Sequence, residues 1–143
     1  MVYHERAAWT ELVVGIGGVV VYAILLSVSA AGGPLTGVDW PPLMIGTIGG
    51  GVLLAILLTI GWGILARARD REAMATDIRD RDIGWMGGRV EHAFLVIAGL
   101  GVLVLCALRA DVFWIAHVMF AGFAVSSILG GVARVIAYRR GLV

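Results

Sequence analysis

The chain has no Lys, no Asn and no Gln, one Cys, three Pro, and only 15% charged residues among 143. Each shortage excludes something. A single thiol, Cys106, rules out an intrachain disulfide and any multi-cysteine metal site. Charged residues are few and of mixed sign, 11 Arg against 10 acids, which argues against direct nucleic-acid binding. The exclusive use of Arg reads as a coding bias as readily as a functional choice. There is no Gly-rich phosphate loop, no His-rich ligand spacing and no nucleophile paired with a base. The expectation is a protein that is not an enzyme, with no cofactor and no metal.

What is present is apolar: 60% hydrophobic residues, a mean hydropathy of +0.96 and 21 Gly. Four segments are long enough to cross a hydrocarbon core, which takes about 20 helical residues. They span residues 11–31, 43–66, 89–108 and 112–137. The first is too long for a cleavable leader and has no convincing small-residue cleavage site, so it is expected to stay as an anchor. Ala31 to Pro42, rich in Gly and Pro, separates the first two segments, and Pro41 and Pro42 suit the start of a helix. Only Arg109, Ala110 and Asp111 separate the last two, which dictates a tight antiparallel hairpin.

Between the two apolar halves lies residues 67–88, with five Arg (Arg67, Arg69, Arg71, Arg79, Arg81) and five acids (Asp70, Glu72, Asp77, Asp80, Asp82). Thr76 or Asp77 can cap a new helix, and Asp77 and Arg81 stand at the spacing that lets opposite charges meet on one face. The segment reads either as a solvated helical extension or as a docking surface for a cytoplasmic partner. Six basic residues fall between Arg67 and Arg89, Arg6 is near the start, and Arg134, Arg139 and Arg140 are near the end, whereas Arg109 alone occupies the opposite loops. The positive-inside rule therefore puts both termini and the central segment in the cytoplasm. The expected fold is all-α, a single polytopic transmembrane four-helix bundle of the cytoplasmic membrane over residues 1–143. Asp39 to Arg67 and Asp111 to Arg139 each span 28 residues, a hint of two duplicated hairpins.

Small residues mark where helices can meet, because lipid tails are as apolar as Leu and association relies on close backbone approach. The second segment carries Gly51, Ala55, Thr59 and Gly63 at four-residue steps with Gly46 and Gly50 beside them, and the fourth carries Gly122, Ser126 and Gly130. They read as internal seams or as a homo-oligomer face. Trp9, Trp40, Trp62, Trp85 and Trp114 lie near segment ends, where an indole favours the headgroup level of membrane lipid.

Ionisable groups at membrane depth are costly and therefore candidate sites. They are Glu11, Arg89, Glu91, His92, His117 and Arg134, of which Glu91, His92 and His117 are the intramembrane candidates. A haem shared by His92 and His117 is excluded within one chain. At 1.5 Å per residue the two lie about 6 and 8 Å from opposite edges of a core about 30 Å thick, leaving roughly 16 Å between them. His117 reads as hydrogen-bonded to a neighbouring helix. A proton-coupled transporter needs an ionisable group near the midplane, and nothing there is more polar than Thr59, Ser126 and Ser127.

Several short motifs carry a family resemblance. Tyr3, Glu5, Arg6 and Trp9 followed by Tyr22, then Asp77, Arg79, Asp80 and Ile83 with Arg89, Phe113-Trp114-Ile115-Ala116, and Tyr138-Arg139-Arg140-Gly141 resemble small prokaryotic four-helix membrane proteins grouped as a domain of unknown function. Ile78 departs from the acidic residue usual in that central box, and His117 from Asn. The resemblance implies membrane location and makes Asp77, Arg79, Asp80 and Arg89 candidate partner-binding residues. Some relatives look to be encoded beside small helix-turn-helix regulators, which points to a cytoplasmic regulatory protein as the partner. The reading is a membrane partner or sensor; the alternatives are a small oligomeric transporter or an accessory subunit of a larger membrane complex.

Overall fold

The computed structural model describes residues 3–69 and 78–140, and nearly all of them are helical. The helices are α1 (Tyr3–Ala30), α2 (Trp40–Arg69), α3 (Ile78–Ala107) and α4 (Val112–Arg140). All four are long and apolar enough to cross a membrane by length and composition. The protein is all-α with the architecture of a multi-pass membrane protein.

The helices overrun the boundaries expected from hydropathy, above all in residues 67–88. Residues 67–69 still belong to α2, and 78–88 form the first three turns of α3, as the helical-extension reading of this segment expects. The apolar stretch marks only the part that suits lipid, whereas the helix runs on until its backbone is capped or broken. Arg, Ala and Met in these turns are good helix formers, so nothing stops it at the apolar edge. The same reasoning takes α1 back to Tyr3 and α4 on to Arg140. Asp77, read as a cap, lies outside the described residues.

Each hairpin turn is specified locally. Between α1 and α2, Ala31 and Gly32 take positive φ values of 47° and 84°, a 3-10 turn covers Leu35–Gly37, and Pro41 and Pro42 sit in the first turn of α2. Between α3 and α4, the Arg109 N–H donates to the Cys106 carbonyl and the Ala110 N–H to the Leu105 carbonyl, both at 3.0 Å. This is the double closure of a Schellman cap. The left-handed position is held by Arg109 at φ 54°, where Gly is the usual residue. Asp111 then caps α4, its Oδ1 accepting from the Phe113 N–H at 2.8 Å. Replacing Arg109 by Gly relieves the left-handed strain of about 1 kcal/mol. Some of that gain is lost with the guanidinium, which is favourable at a helix C-terminus. The expected net effect of Arg109→Gly is a small rise in thermal stability in detergent, about 0.5 kcal/mol.

Helix packing follows the order α2, α1, α4, α3. Only α1 and α4 have packed neighbours on two sides, and among the described residues α2 and α3 make no comparable interface with each other. The four helices therefore form an open row. Each hairpin packs on itself, α1 on α2 and α3 on α4, but among the described residues no comparable interface between α2 and α3 repeats that of α1 with α4, so the packing lends the duplication no support.

Two apolar clusters hold the row. Toward the hairpin turns, Tyr22, Leu26, Met44 and Phe113 are buried together, with Trp40, Leu43 and Phe120 against them. At the end where the chain begins and finishes, Ala8, Leu12 and Val135 are buried with Ile128, Val132 and Tyr138 around them. On α2 the side toward α1 runs through Met44, Thr47, Gly51, Ala55, Thr59 and Gly63, all at least partly covered. Gly46 and Gly50 instead line an open groove of about 650 Å³ between α1 and α2, where nothing lies within 4 Å of an added Cβ. The middle helix α4 uses adjacent glycines for two partners: Gly130 faces Glu91 of α3, and Gly131 faces Leu12 of α1. Successive helical positions point about 100° apart, which is what a helix between two neighbours requires.

Candidate functional site

At the end that carries both termini, one guanidinium joins three helices. Arg134 Nη2 on α4 donates to Glu91 Oε1 on α3 at 2.5 Å and to Glu11 Oε2 on α1 at 3.0 Å. The Arg134 side chain is 19% exposed, Glu91 28% and Glu11 51%. Glycines make the crossing sterically open. A Cβ on Gly87 would stand 2.7 Å from Arg134 Cγ, and one on Gly130 would overlap the Glu91 side chain. One turn deeper, the Ser126 hydroxyl donates to the Glu91 carbonyl at 2.8 Å, so α4 grips α3 by backbone as well as by charge.

Two carboxylates share one cation, leaving the triad one negative charge in excess when all three are ionised. Of the three, Glu11 is the most exposed at the surface of the bundle. Arg134 Nε is buried without a hydrogen-bond partner among the described residues. The arrangement can bind charge and hold helices in register. No group of three His, Cys, Asp or Glu among the described residues could hold a metal ion.

Around the triad, the aromatic residues are covered by cations. Arg6 lies over the Trp62 ring at 5.4 Å and Arg139 over Trp9 at 5.2 Å, while the Trp62 indole N–H donates to Thr10 Oγ1 at 3.0 Å. Each such contact contributes about 0.5–1 kcal/mol at exposed positions. Arg79 Nη2 reaches the Tyr138 carbonyl at 3.4 Å, and Asp80 is hydrogen-bonded to the Tyr138 side chain. Ile83, fully buried, packs on this side of α3. The central box therefore splits. Arg79 and Asp80 engage the end of α4, whereas Arg89, nine residues after Asp80, points to the opposite side of the helix, about 180° away. Asp77 is outside the described residues.

The second polar site lies at the other end, between α1 and α4. His117 Nδ1 is 2.7 Å from the Phe113 carbonyl, and Nε2 is 2.6 Å from the Tyr22 hydroxyl. A carbonyl can only accept, so Nδ1 carries the proton and, in the neutral ring, Nε2 accepts from Tyr22. Phe113 stacks on the imidazole at 3.8 Å between centroids and Trp40 meets it edge-on at 5.4 Å. Both nitrogens are committed, which leaves no lone pair for a metal or haem. Tyr22→Phe removes the donor and strands Nε2 in an apolar cluster; a loss of about 1–2 kcal/mol is expected, read as a lower unfolding temperature in detergent.

Of the other candidates, His92 is exposed on the outer side of α3, away from the triad. Gly122 and Ser126 line the α3 interface, where a Cβ on Gly122 would overlap Ala98 Cβ. Gly51, Ala55 and Gly63 lie on the side of α2 toward α1. The structure gives His117 the hydrogen bond to a neighbouring helix that the sequence led us to expect, and the features that sequence reasoning missed are Tyr22 as its partner and the pairing of Glu91 with Arg134. A phenol in mid-helix is a signal for a buried hydrogen bond. The ion pair has no such signal, because its members are 43 residues apart. No family model, no curated protein and no solved structure matches the chain.

Proposed function

We propose that this protein is a non-enzymatic membrane partner, set in the cytoplasmic membrane with both termini inside, that engages a cytoplasmic protein through residues 67–89. The observation that carries the reading is the rigid charged extension at the start of α3. Its inner side is fastened to α4 through Ile83, Gly87 and the contacts of Arg79 and Asp80 with Tyr138. Its outer side leaves Arg81 and Asp82 exposed on a helix already ordered. A preorganised helix spares a partner the entropy of ordering it, which is the usual advantage of a built docking element. The sidedness rests on the arginine distribution.

Purification of the full chain from its own host in mild detergent, followed by mass determination, tests this. The expected result is a second protein in fixed proportion that is lost when Arg81 and Asp82 are both replaced by Ala. The same partner held equally well by the doubly substituted chain would sink the proposal. A second reading, an oligomeric transporter or an accessory subunit, is favoured by the open groove between α1 and α2, lined by Gly17, Gly18, Gly46 and Gly50. A ring of this chain alone, or a complex held through α2, would favour it instead.

A further inference from the structure

One side of α3 combines an unpaired cation, an interfacial indole and an apolar lane. Gly84, Trp85, Gly88, Arg89, His92 and Ala93 line an open depression of about 460 Å³ on the outer side of the helix. Trp85 is 68% exposed, and Arg89 and His92 are exposed beside it. Among the described residues the Arg89 side chain makes no ion pair or hydrogen bond, unlike Arg79, Arg134 and Arg139. Glu91, the nearest acid in sequence, is turned toward Arg134. Neither Gly84 nor Gly88 has anything within 4 Å of an added Cβ, so internal packing does not demand them, and their bareness makes the floor of the depression.

Depth supplies the second argument. From Arg89 to Ala107, where α3 ends at the opposite turn, the rise is about 27 Å, close to the hydrocarbon thickness of about 30 Å. Arg89 therefore stands at the level of lipid phosphates. Trp85, one turn farther out, sits where indoles prefer the headgroups. Continuing the other way along the same side, Val96, Ile97, Leu100, Leu103 and Val104 are all exposed. Cation, aromatic ring and apolar lane follow one another in the order of a lipid's phosphate, headgroup region and acyl chain.

We propose that this side of α3 is a binding site for an anionic phospholipid. The phosphate accepts hydrogen bonds from the Arg89 guanidinium, for which the planar fork is well matched, and from His92. Gly84 and Gly88 let the headgroup approach the helix backbone beside Trp85, and an acyl chain lies along Val96 to Val104. The proposal assigns Trp85 and Arg89 to lipid and leaves protein docking to the residues before them, Arg81 and Asp82 among them.

Native mass spectrometry of the full chain, released from mild detergent doped with phosphatidylglycerol, phosphatidylcholine or inorganic phosphate, tests it. Retention of phosphatidylglycerol at least about fivefold above phosphatidylcholine is expected, with no displacement by millimolar inorganic phosphate. Arg89→Gln should lower that retention about tenfold, and Arg140→Gln should not. Gly88→Leu fills the floor from a position where an added Cβ has nothing within 4 Å, and should have the effect of Arg89→Gln, which guards against a folding artefact at either position. Equal retention of the two lipids, an unchanged Arg89→Gln variant, displacement by inorganic phosphate, or occupation of the site by a protein that depends on Arg89 would each overturn the proposal.

Discussion

Replacing Arg134 by Met should be among the most damaging single changes to this protein, and a second change should reverse much of it. Arg134 is the one cation between Glu91 and Glu11, and both it and Glu91 are mostly withdrawn from water. Removing it leaves the Glu91 carboxylate facing Gly130 and apolar neighbours with no countercharge. Breaking a buried pair from one side costs about 3 kcal/mol. Partial solvent access through Glu11 keeps the figure at that lower end. Arg134→Met with Glu91→Met removes both charges and keeps comparable volume, and is expected to recover to within about 1 kcal/mol of the parent. Glu11→Gln alone should cost little, because that carboxylate is half exposed and its contact is of the surface kind. Thermal unfolding of the four proteins in one detergent, followed by intrinsic fluorescence, checks the set. A double variant no better than Arg134→Met would show that packing of the arginine stem, and not charge compensation, is what the site contributes.

Gly122→Leu should be as severe for a different reason. A Cβ at this position would already overlap Ala98 Cβ, an atom fixed to the backbone of another helix that, unlike the tip of a long side chain, cannot swing away. In a bilayer the two helices gain nothing from leaving lipid except the contacts they make with each other. Pushing them apart along this seam also stretches the Ser126 hydroxyl from the Glu91 carbonyl, now at 2.8 Å. Overpacking of this kind costs about 3 kcal/mol, the upper part of the usual range. Gly61→Leu is the matched control: it faces outward with nothing near it, and the change improves helix propensity by about 0.5–1 kcal/mol. Size-exclusion profiles after a short heat step should show Gly122→Leu aggregated and Gly61→Leu intact. Equal tolerance of the two would contradict the α3–α4 seam described here.

How legible each feature was follows from the range of the interaction behind it. Existence of the four helices is a local property, since about 20 apolar residues in a row suit a helix in lipid whatever their neighbours. The Pro41–Pro42 start and the short Arg109 to Asp111 turn are local too, and the structure has both. The helices run past the apolar segments because hydropathy reports the lipid boundary, whereas a helix stops where its backbone is capped. The triad joins residues 43 and 123 positions apart and the Tyr22–His117 bond residues 95 apart, and no periodicity within a helix encodes such pairings.

By itself, then, the sequence determined an all-α chain of four membrane-length helices, with small residues set at four-residue steps along α2 and α4. These are matters of composition and period. It took the assembled helices to set the order α2, α1, α4, α3, to engage Arg79 and Asp80 with Tyr138 while Arg89 makes no ion pair or hydrogen bond among the described residues, and to make Arg134 the residue on which three helices meet. The reason is that every helix here is apolar nearly all round, so no single helix shows which side will find a partner. That choice is made by the fit of glycine gaps to particular side chains, and the fit exists only once the helices are together.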